Sequence, residues 1–287
     1  LGKTLGSAHD MGREVRVVTA LDGTGVPVPP VLGYCEDEEV TGAPFYVMEF
    51  VEGPVIRGPE QAAAFPSPEQ RRRLGEGLVE TMAKIHSVDV SEVGLADLGR
   101  HDGYVQRQLK RWSGQWEKSK TRELPLVEDV HARLVELAPP QSATSLVHGD
   151  YRLDNVIYSP TGEVAAVVDW ELCTIGEPLA DLGLLMVYWR ESGDEPIPLI
   201  TPATVEPGFP KRQELADLYA EITGRDISKL DYFVALGFWK LAIIAEGVLA
   251  RFAAGQYGED IGDVVERSQA TIDLLVGQAD EAINRIS

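Results

Sequence analysis

Cysteine is nearly missing from this 287-residue chain, and positive charge is scarce. Two cysteines, Cys35 and Cys173, cannot build a disulfide framework. Each lies in an apolar run, where a buried free thiol is expected, and a reducing cytoplasm suits them best. Lys and Arg number 26 against 46 Asp and Glu, a formal charge of −20. Such a surface repels the phosphates of nucleic acid and of anionic membranes, so neither is an expected partner. No apolar stretch reaches the roughly 20 residues that span a bilayer; Val234 to Ala245 is interrupted by Lys240, and no transmembrane helix is expected. The five histidines, His9, His86, His101, His131 and His148, form no HExxH, and GxSxG is absent. Gly23-Thr24-Gly25 lacks the third glycine of a dinucleotide fingerprint, and Gly2-Lys3-Thr4 lacks the earlier glycine and strand of a phosphate loop. The opening LGKTLGSAHD has neither an initiator Met nor a signal-peptide core, which suggests a chain read from within a longer product.

What is present is globular: 44% hydrophobic and 25% charged residues, at a length that suits one large domain or two lobes. Met11, Val15, Val18 and Leu21 recur at helical spacing, so Asp10 to Leu21 is expected to be a helix. The proline-rich GTGVPVPP is a connector, and VLGYCE and PFYVMEFV read as an antiparallel pair. Gly53-Pro54 punctuates the chain. Ser67 as N-cap, Pro68 at the first position and Leu74, Leu78, Met82 and Ile85 predict the clearest helix. Helices are also expected over 101–116 and 126–137. The pattern then changes to short strands, SLVH and a hairpin of NVIYS and VAAVVDW turning at Gly162. From Pro178 the chain reads as helical, broken by a proline-rich loop over 196–210. This order is an α+β layout.

The chemistry concentrates in LVHGDYRLDNVIY and VVDWE. Asp150, Asn155 and Asp169 stand in or beside strand-like runs, where a carboxylate is costly without a cation or a donor. Oxygen ligands with few histidines and no thiolate cluster suit Mg²⁺ rather than zinc, and a phosphoryl-transfer site follows. The spacing agrees: a base, an Asn five positions later and an Asp beyond the next hairpin is the arrangement that phosphoryl-transfer enzymes of the kinase type use. Capping of the turns around a hairpin is the structural competitor.

Through GREVRVVTAL, PFYVMEFVEG, HGDYRLDNVIY and DWELCTIGEPLADLG the chain resembles the aminoglycoside phosphotransferase family, whose fold is that of protein kinases. The resemblance is strongest to the phosphotransferase domains fused to acyl-CoA dehydrogenases and their bacterial relatives, and runs from about Gly12 to Val187. It implies that Asp150 is the catalytic base, that Asn155 and Asp169 hold Mg²⁺, and that Arg152 neutralises the transferred phosphoryl group. It implies further that Glu14 orients the ATP-binding Lys, and that Glu49 to Val51 bind adenine through the backbone, with Met48 and Phe50 as apolar neighbours. Asp181 would brace the catalytic loop, and His148 would hold it without chemistry. Glu171 is either a further metal ligand or a loop support. Tyr104, Trp112, Trp116, Tyr188 and Trp189 are either core or acceptor pocket.

The sequence departs from the family at its start, where a Gly-rich strand pair and a strand bearing the Lys would stand. Lys3, eleven residues before Glu14 and in no strand pattern, is not assigned that role. Either upstream residues complete the nucleotide lobe or the protein is a degenerate kinase; the intact catalytic positions favour the first, and the sequence as it stands is expected to bind ATP poorly. The expectation is a two-lobe kinase-like fold, with residues 1–52 as a partial ATP-binding lobe and 53–287 as the catalytic and substrate-binding lobe. The expected activity is ATP- and Mg²⁺-dependent transfer of the γ-phosphate to a hydroxyl of an aminoglycoside-like or hydroxyacyl-CoA-type small molecule. The alternative is a kinase-fold binding protein without turnover. No sequence feature specifies an oligomeric state.

Overall fold

The computed structural model describes residues 10–198, 202–253 and 262–286. Gly2-Lys3-Thr4 and His9 lie outside them, as does part of the proline-rich loop. Asp10 accepts from the Arg13 N–H and starts α1 (Met11–Leu21), which buries Glu14, Val17, Val18 and Leu21. Strands β1 (Val31–Cys35) and β2 (Phe45–Met48) pair antiparallel as expected, with a four-residue helix α2 (Glu38–Thr41) in the intervening turn. Cys35 ends β1 only half-buried, because a two-stranded ribbon cannot cover both its faces; Cys173 is buried as expected.

After α3 (Pro59–Ala62) comes α4 (Pro68–Ser87). The Gln70 N–H donates to Ser67 Oγ and the Ser67 N–H to Gln70 Oε1, each at 3.2 Å, a capping box that satisfies two orphan donors. The next helix, α5 (Tyr104–Ser119), begins three residues later than the pattern predicts. His101 to Gly103 instead form a turn in which His101 bonds the Ala96 carbonyl, and Gly103 adopts the left-handed conformation at the helix start. In α6 (Pro125–Glu136) Pro125 takes the first position.

Strand β3 (Ser145–Val147) leads into a 3₁₀ turn (Leu153–Asn155) and the hairpin β4 (Val156–Tyr158) and β5 (Val164–Val167). β3 pairs with a strand the sequence did not reveal, β6 (Thr174–Gly176), which is too short for an alternation signal. A backbone bond from Tyr158 to the Pro54 carbonyl and another from Val167 to the Pro27 carbonyl fix the hairpin to the connectors on either side of the β1–β2 pair.

The helical remainder is α7 (Leu179–Tyr188), a 3₁₀ turn (Ala203–Val205), α8 (Arg212–Thr223), α9 (Leu230–Ala253) and α10 (Gly262–Asn284). α9 packs along α10 and α7 and forms the centre of the core. Gly183 makes the α7 contact possible: a Cβ there would lie 2.5 Å from the Phe233 backbone. Lys240 does not end the apolar run as the sequence suggested. α9 runs through it, 24 residues in all, and, among the described residues, is the one helix long and apolar enough to cross a membrane. Its most apolar window is 67% buried inside the protein, which is the position of a core helix.

Candidate active site

The loop after β3 carries its polar atoms on a buried anchor. Asp181, in the first turn of α7 and 1% exposed, accepts from the His148 N–H at 2.7 Å and the Gly149 N–H at 2.9 Å. It also faces His86 Nε2 at 3.2 Å, while His86 Nδ1 meets the Tyr219 hydroxyl at 2.8 Å. Burial alone pushes the Asp181 carboxyl up. The hydrogen bond from His86, the two histidines and the Gly149 N–H outweigh it and hold the group below its ordinary value.

His148 is fully buried between Tyr151 and Trp170. Its Nε2 lies 3.1 Å from the Val168 carbonyl, and its Nδ1 lies 3.3 Å from the Asp150 N–H. The two partners assign the neutral tautomer with the proton on Nε2. Burial pushes its pKa below 6.5, so at mildly acidic pH the unfolded chain binds more protons than the folded one. This part of the stability is complete above about pH 6.5 and is lost as the pH falls from there through the lower folded pKa. A His148→Asn variant is therefore expected to flatten the fall of Tm between about pH 7 and 5.5, read by thermal unfolding against wild type. His131, also shifted down by burial, is common to both proteins and cancels. An unchanged slope in the variant contradicts the assignment.

Gly149 needs its residue type twice over. Its φ is +87°, and a Cβ would lie 2.7 Å from the Leu172 carbonyl oxygen. Next comes Asp150, partly exposed, whose Oδ2 accepts from Asn155 Nδ2 at 3.2 Å and lies 3.4 Å from Arg152 Nε. Asn155 Nδ2 also donates to the Asp150 carbonyl at 2.8 Å, so the amide is turned with Oδ1 as its remaining ligand atom. Arg152 bridges Asp150 and Asp154, the latter at 3.1 Å, and stacks over Tyr188 at 4.9 Å. The Tyr188 hydroxyl faces the Asp150 carboxylate, and burial followed by that charge pushes its pKa up.

Asp169 lies beyond β5 in the left-handed region at φ 66°, the one non-glycine with positive φ among the described residues. Its neighbours are tied on both sides. The Val168 N–H donates to the Asn155 carbonyl at 3.0 Å, and the Trp170 N–H donates to Glu14 Oε1 at 3.1 Å. The structure thus brings Asp150, Arg152, Asn155, Asp169 and Glu14 to one place. Burial, and then the charges of Asp169 and Glu171, raise the Glu14 carboxyl against the hydrogen bonds from Trp170 and Tyr46.

The connector residues stand at the end of β2. Met48 is 40% exposed, the Glu49 N–H is taken by the Pro30 carbonyl at 2.9 Å, and Phe50 is 91% exposed. Among the described residues no backbone or side-chain group bonds the Glu49 carbonyl or the Val51 N–H. Of the aromatic candidates, Trp116 is almost wholly buried, Tyr104 and Trp112 line a small cavity behind Gly149, and Tyr188 and Trp189 line a larger one beside Arg152.

A family model described as the phosphotransferase enzyme family, APH, matches residues 3–215. The chain belongs to the APH phosphotransferase family. Acyl-CoA dehydrogenase family member 11 of Rattus norvegicus is 36% identical over 263 residues, covering 88% of this chain and 33% of that protein. Family member 10 of Mus musculus is 35% identical over 262 residues, covering 89% and 24%. This APH chain thus spans a third or less of the length of these curated relatives. A crystal structure from Ralstonia eutropha, assigned to the aminoglycoside phosphotransferases, superposes with a TM-score of 0.82 at 34% identity over 94% of this chain and 83% of the other. An aminoglycoside phosphotransferase in ternary complex with ADP and hygromycin B shares the fold, with a TM-score of 0.58 at 17% identity over 95% and 84%. The kinase-like fold expected from the sequence is the fold of this APH chain.

Two contacts of this APH site had no local signal. Lys240 of α9 donates to the Gly149 carbonyl at 2.8 Å, and Tyr188 at the end of α7 lies against the Arg152 guanidinium. In sequence Lys240 is a break in an apolar run, and Tyr188 is one aromatic among several.

Proposed function

We propose that this chain provides the catalytic part of a small-molecule kinase that transfers the γ-phosphate of ATP to a hydroxyl. The observation that carries the reading is the Asp150 carboxylate tied to Asn155 Nδ2, with Asp169 bracketed between that loop and Glu14. Asp150 is the base that receives the hydroxyl proton. Asn155 Oδ1 and the Asp169 carboxylate are the oxygen donors for Mg²⁺; among the described residues no cluster of three or more His, Cys, Asp or Glu forms a cage, and a two-ligand site completed by water and phosphate oxygens is the usual Mg²⁺ pattern. When bound, the metal supplies charge neutralisation at the phosphates.

Arg152 lies beside the base and offers a second cation to the transferred group. The Glu49 carbonyl and Val51 N–H, with Met48 beside them, are the adenine contacts, and Glu14 faces the place of a nucleotide-binding Lys. The acceptor reaches Asp150 from a cavity of about 260 Å³ lined by Ile56, Arg57, Arg152, Leu185, Tyr188 and Trp189 among others. Arg57 and Arg152 line it with Asp154, and the 36% identity to acyl-CoA dehydrogenase family member 11 supports a hydroxyacyl-CoA-type acceptor over a polycationic aminoglycoside.

Thermal unfolding of the full-length protein with a non-hydrolysable ATP analogue tests the reading. With Mg²⁺ and a hundredfold excess over Kd, Tm is expected to rise by about 4–5 °C. A hydroxyacyl-CoA is expected to raise it further, and Asp169→Ala to abolish the metal dependence. An equal rise without Mg²⁺, or none, contradicts it.

A further inference from the structure

Lys240 stands where an apolar residue would extend the α9 face, in the run ALGFWKLAII. Burying an ammonium is costly, and desolvation lowers its pKa against the pull of Asp150 and Asp181. Its Nζ makes a 2.8 Å hydrogen bond to the Gly149 carbonyl and lies 5.4 Å from the centre of the Trp112 ring. The cavity around it, shared with Tyr104, Gln108, Trp112 and Phe233, measures only about 20 Å³, so the ammonium has little room to move.

The Gly149 carbonyl and the Asp150 N–H belong to one peptide plane. The N–H edge of that plane is held by His148 Nδ1, and the carbonyl edge by Lys240. Asp181 holds the preceding peptide through the Gly149 N–H. Glycine leaves the backbone free to turn at this point, and the direction of the Asp150 side chain depends on how that plane is set. We propose that Lys240 is a positioning residue: acting through the Gly149 carbonyl, it fixes the peptide that aims the Asp150 carboxylate, and so ties the reactive geometry to α9 and Trp112. Placing a base correctly is worth much of its effect, and an error near 1 Å costs about 10²-fold in rate. The proposal rests on the assignment of Asp150 as the base.

The test compares Lys240→Met and Lys240→Arg with wild type in the full-length protein, using MgATP turnover with a hydroxyacyl-CoA acceptor and hydrogen exchange of the amides of residues 148–150. Methionine keeps the apolar stem and suits a packing role, whereas arginine keeps the cation and donor but is bulkier. Positioning predicts that Lys240→Met lowers kcat about tenfold or more with KM for ATP within twofold, speeds exchange at the Asp150 N–H, and is worse than Lys240→Arg. The proposal is overturned if Lys240→Met keeps kcat within twofold and exchange unchanged, or if arginine is the more damaging. Exchange does not depend on turnover. A wild-type protein that leaves MgATP intact removes the phosphotransfer reading, while exchange at Asp150 still decides the clamp.

Discussion

Replacing Asp150 with Asn is expected to lower kcat for phosphoryl transfer about 10³-fold, within the range that a positioned general base contributes. That corresponds to about 4 kcal/mol of transition-state stabilisation. The amide keeps the shape of the carboxylate and can still accept from Asn155, so the fold and Tm are expected to hold. KM for ATP is expected to change little, because in its proposed role Asp150 meets the acceptor hydroxyl and not the nucleotide. Steady-state kinetics with MgATP separate the two parameters. A loss smaller than tenfold, or one confined to KM, contradicts the role given to Asp150.

The second large effect is on stability. Asp181→Ala leaves the His148 and Gly149 N–H groups and His86 Nε2 without their shared acceptor in a fully buried place. Removing one member of a buried charged network costs about 3–5 kcal/mol. For a chain of 287 residues this is a fall in Tm of about 5–8 °C, using the average unfolding entropy per residue. Asp181→Asn retains one acceptor oxygen and is expected to lie between wild type and the alanine variant. The carboxyl is held below its ordinary value, so its contribution is present above that value and disappears as the pH falls through the folded pKa. The difference in Tm between wild type and Asp181→Ala should therefore shrink in strong acid. Differential scanning calorimetry across pH checks both statements, and a Tm within 1 °C of wild type for the alanine variant contradicts them.

The parts of the site that were legible in the sequence are the local ones. The five-residue step from Asp150 to Asn155 is a single loop, and a loop that short can only bring its ends together, as the 3.2 Å contact shows. Asp169 was placed by the hairpin before it, and α4 by its cap and first-turn proline. The rest depends on contacts between distant segments. Lys240 lies 91 positions from the carbonyl it bonds, and nothing near it distinguishes a tether from an interruption. β6 is three residues long and exists because β3 offers it an edge. Cys35 looked like a core residue because its neighbours are apolar, but they belong to a ribbon of two strands with an open face: Leu32 is 62% and Val47 48% exposed. The same local pattern is thus buried in β5 and exposed in β1, and the difference lies in what packs against each.

Electrostatics shows a similar division. The net charge of −20 describes the whole surface, while the loop at Asp150 is flanked by Arg152 and Lys240, and the neighbouring cavity contains Arg57. With Asp154, Asp169 and Glu14 beside these cations the site carries both signs, so the overall charge does not decide the charge of the acceptor.

The most direct measurement follows γ-phosphate-labelled ATP in the full-length protein with Mg²⁺ and a hydroxyacyl-CoA. The label is expected on the acceptor's hydroxyl oxygen in the wild-type protein and about 10³-fold more slowly with Asp150→Asn. Label that stays on ATP, or that moves equally fast in both proteins, contradicts phosphoryl transfer by Asp150.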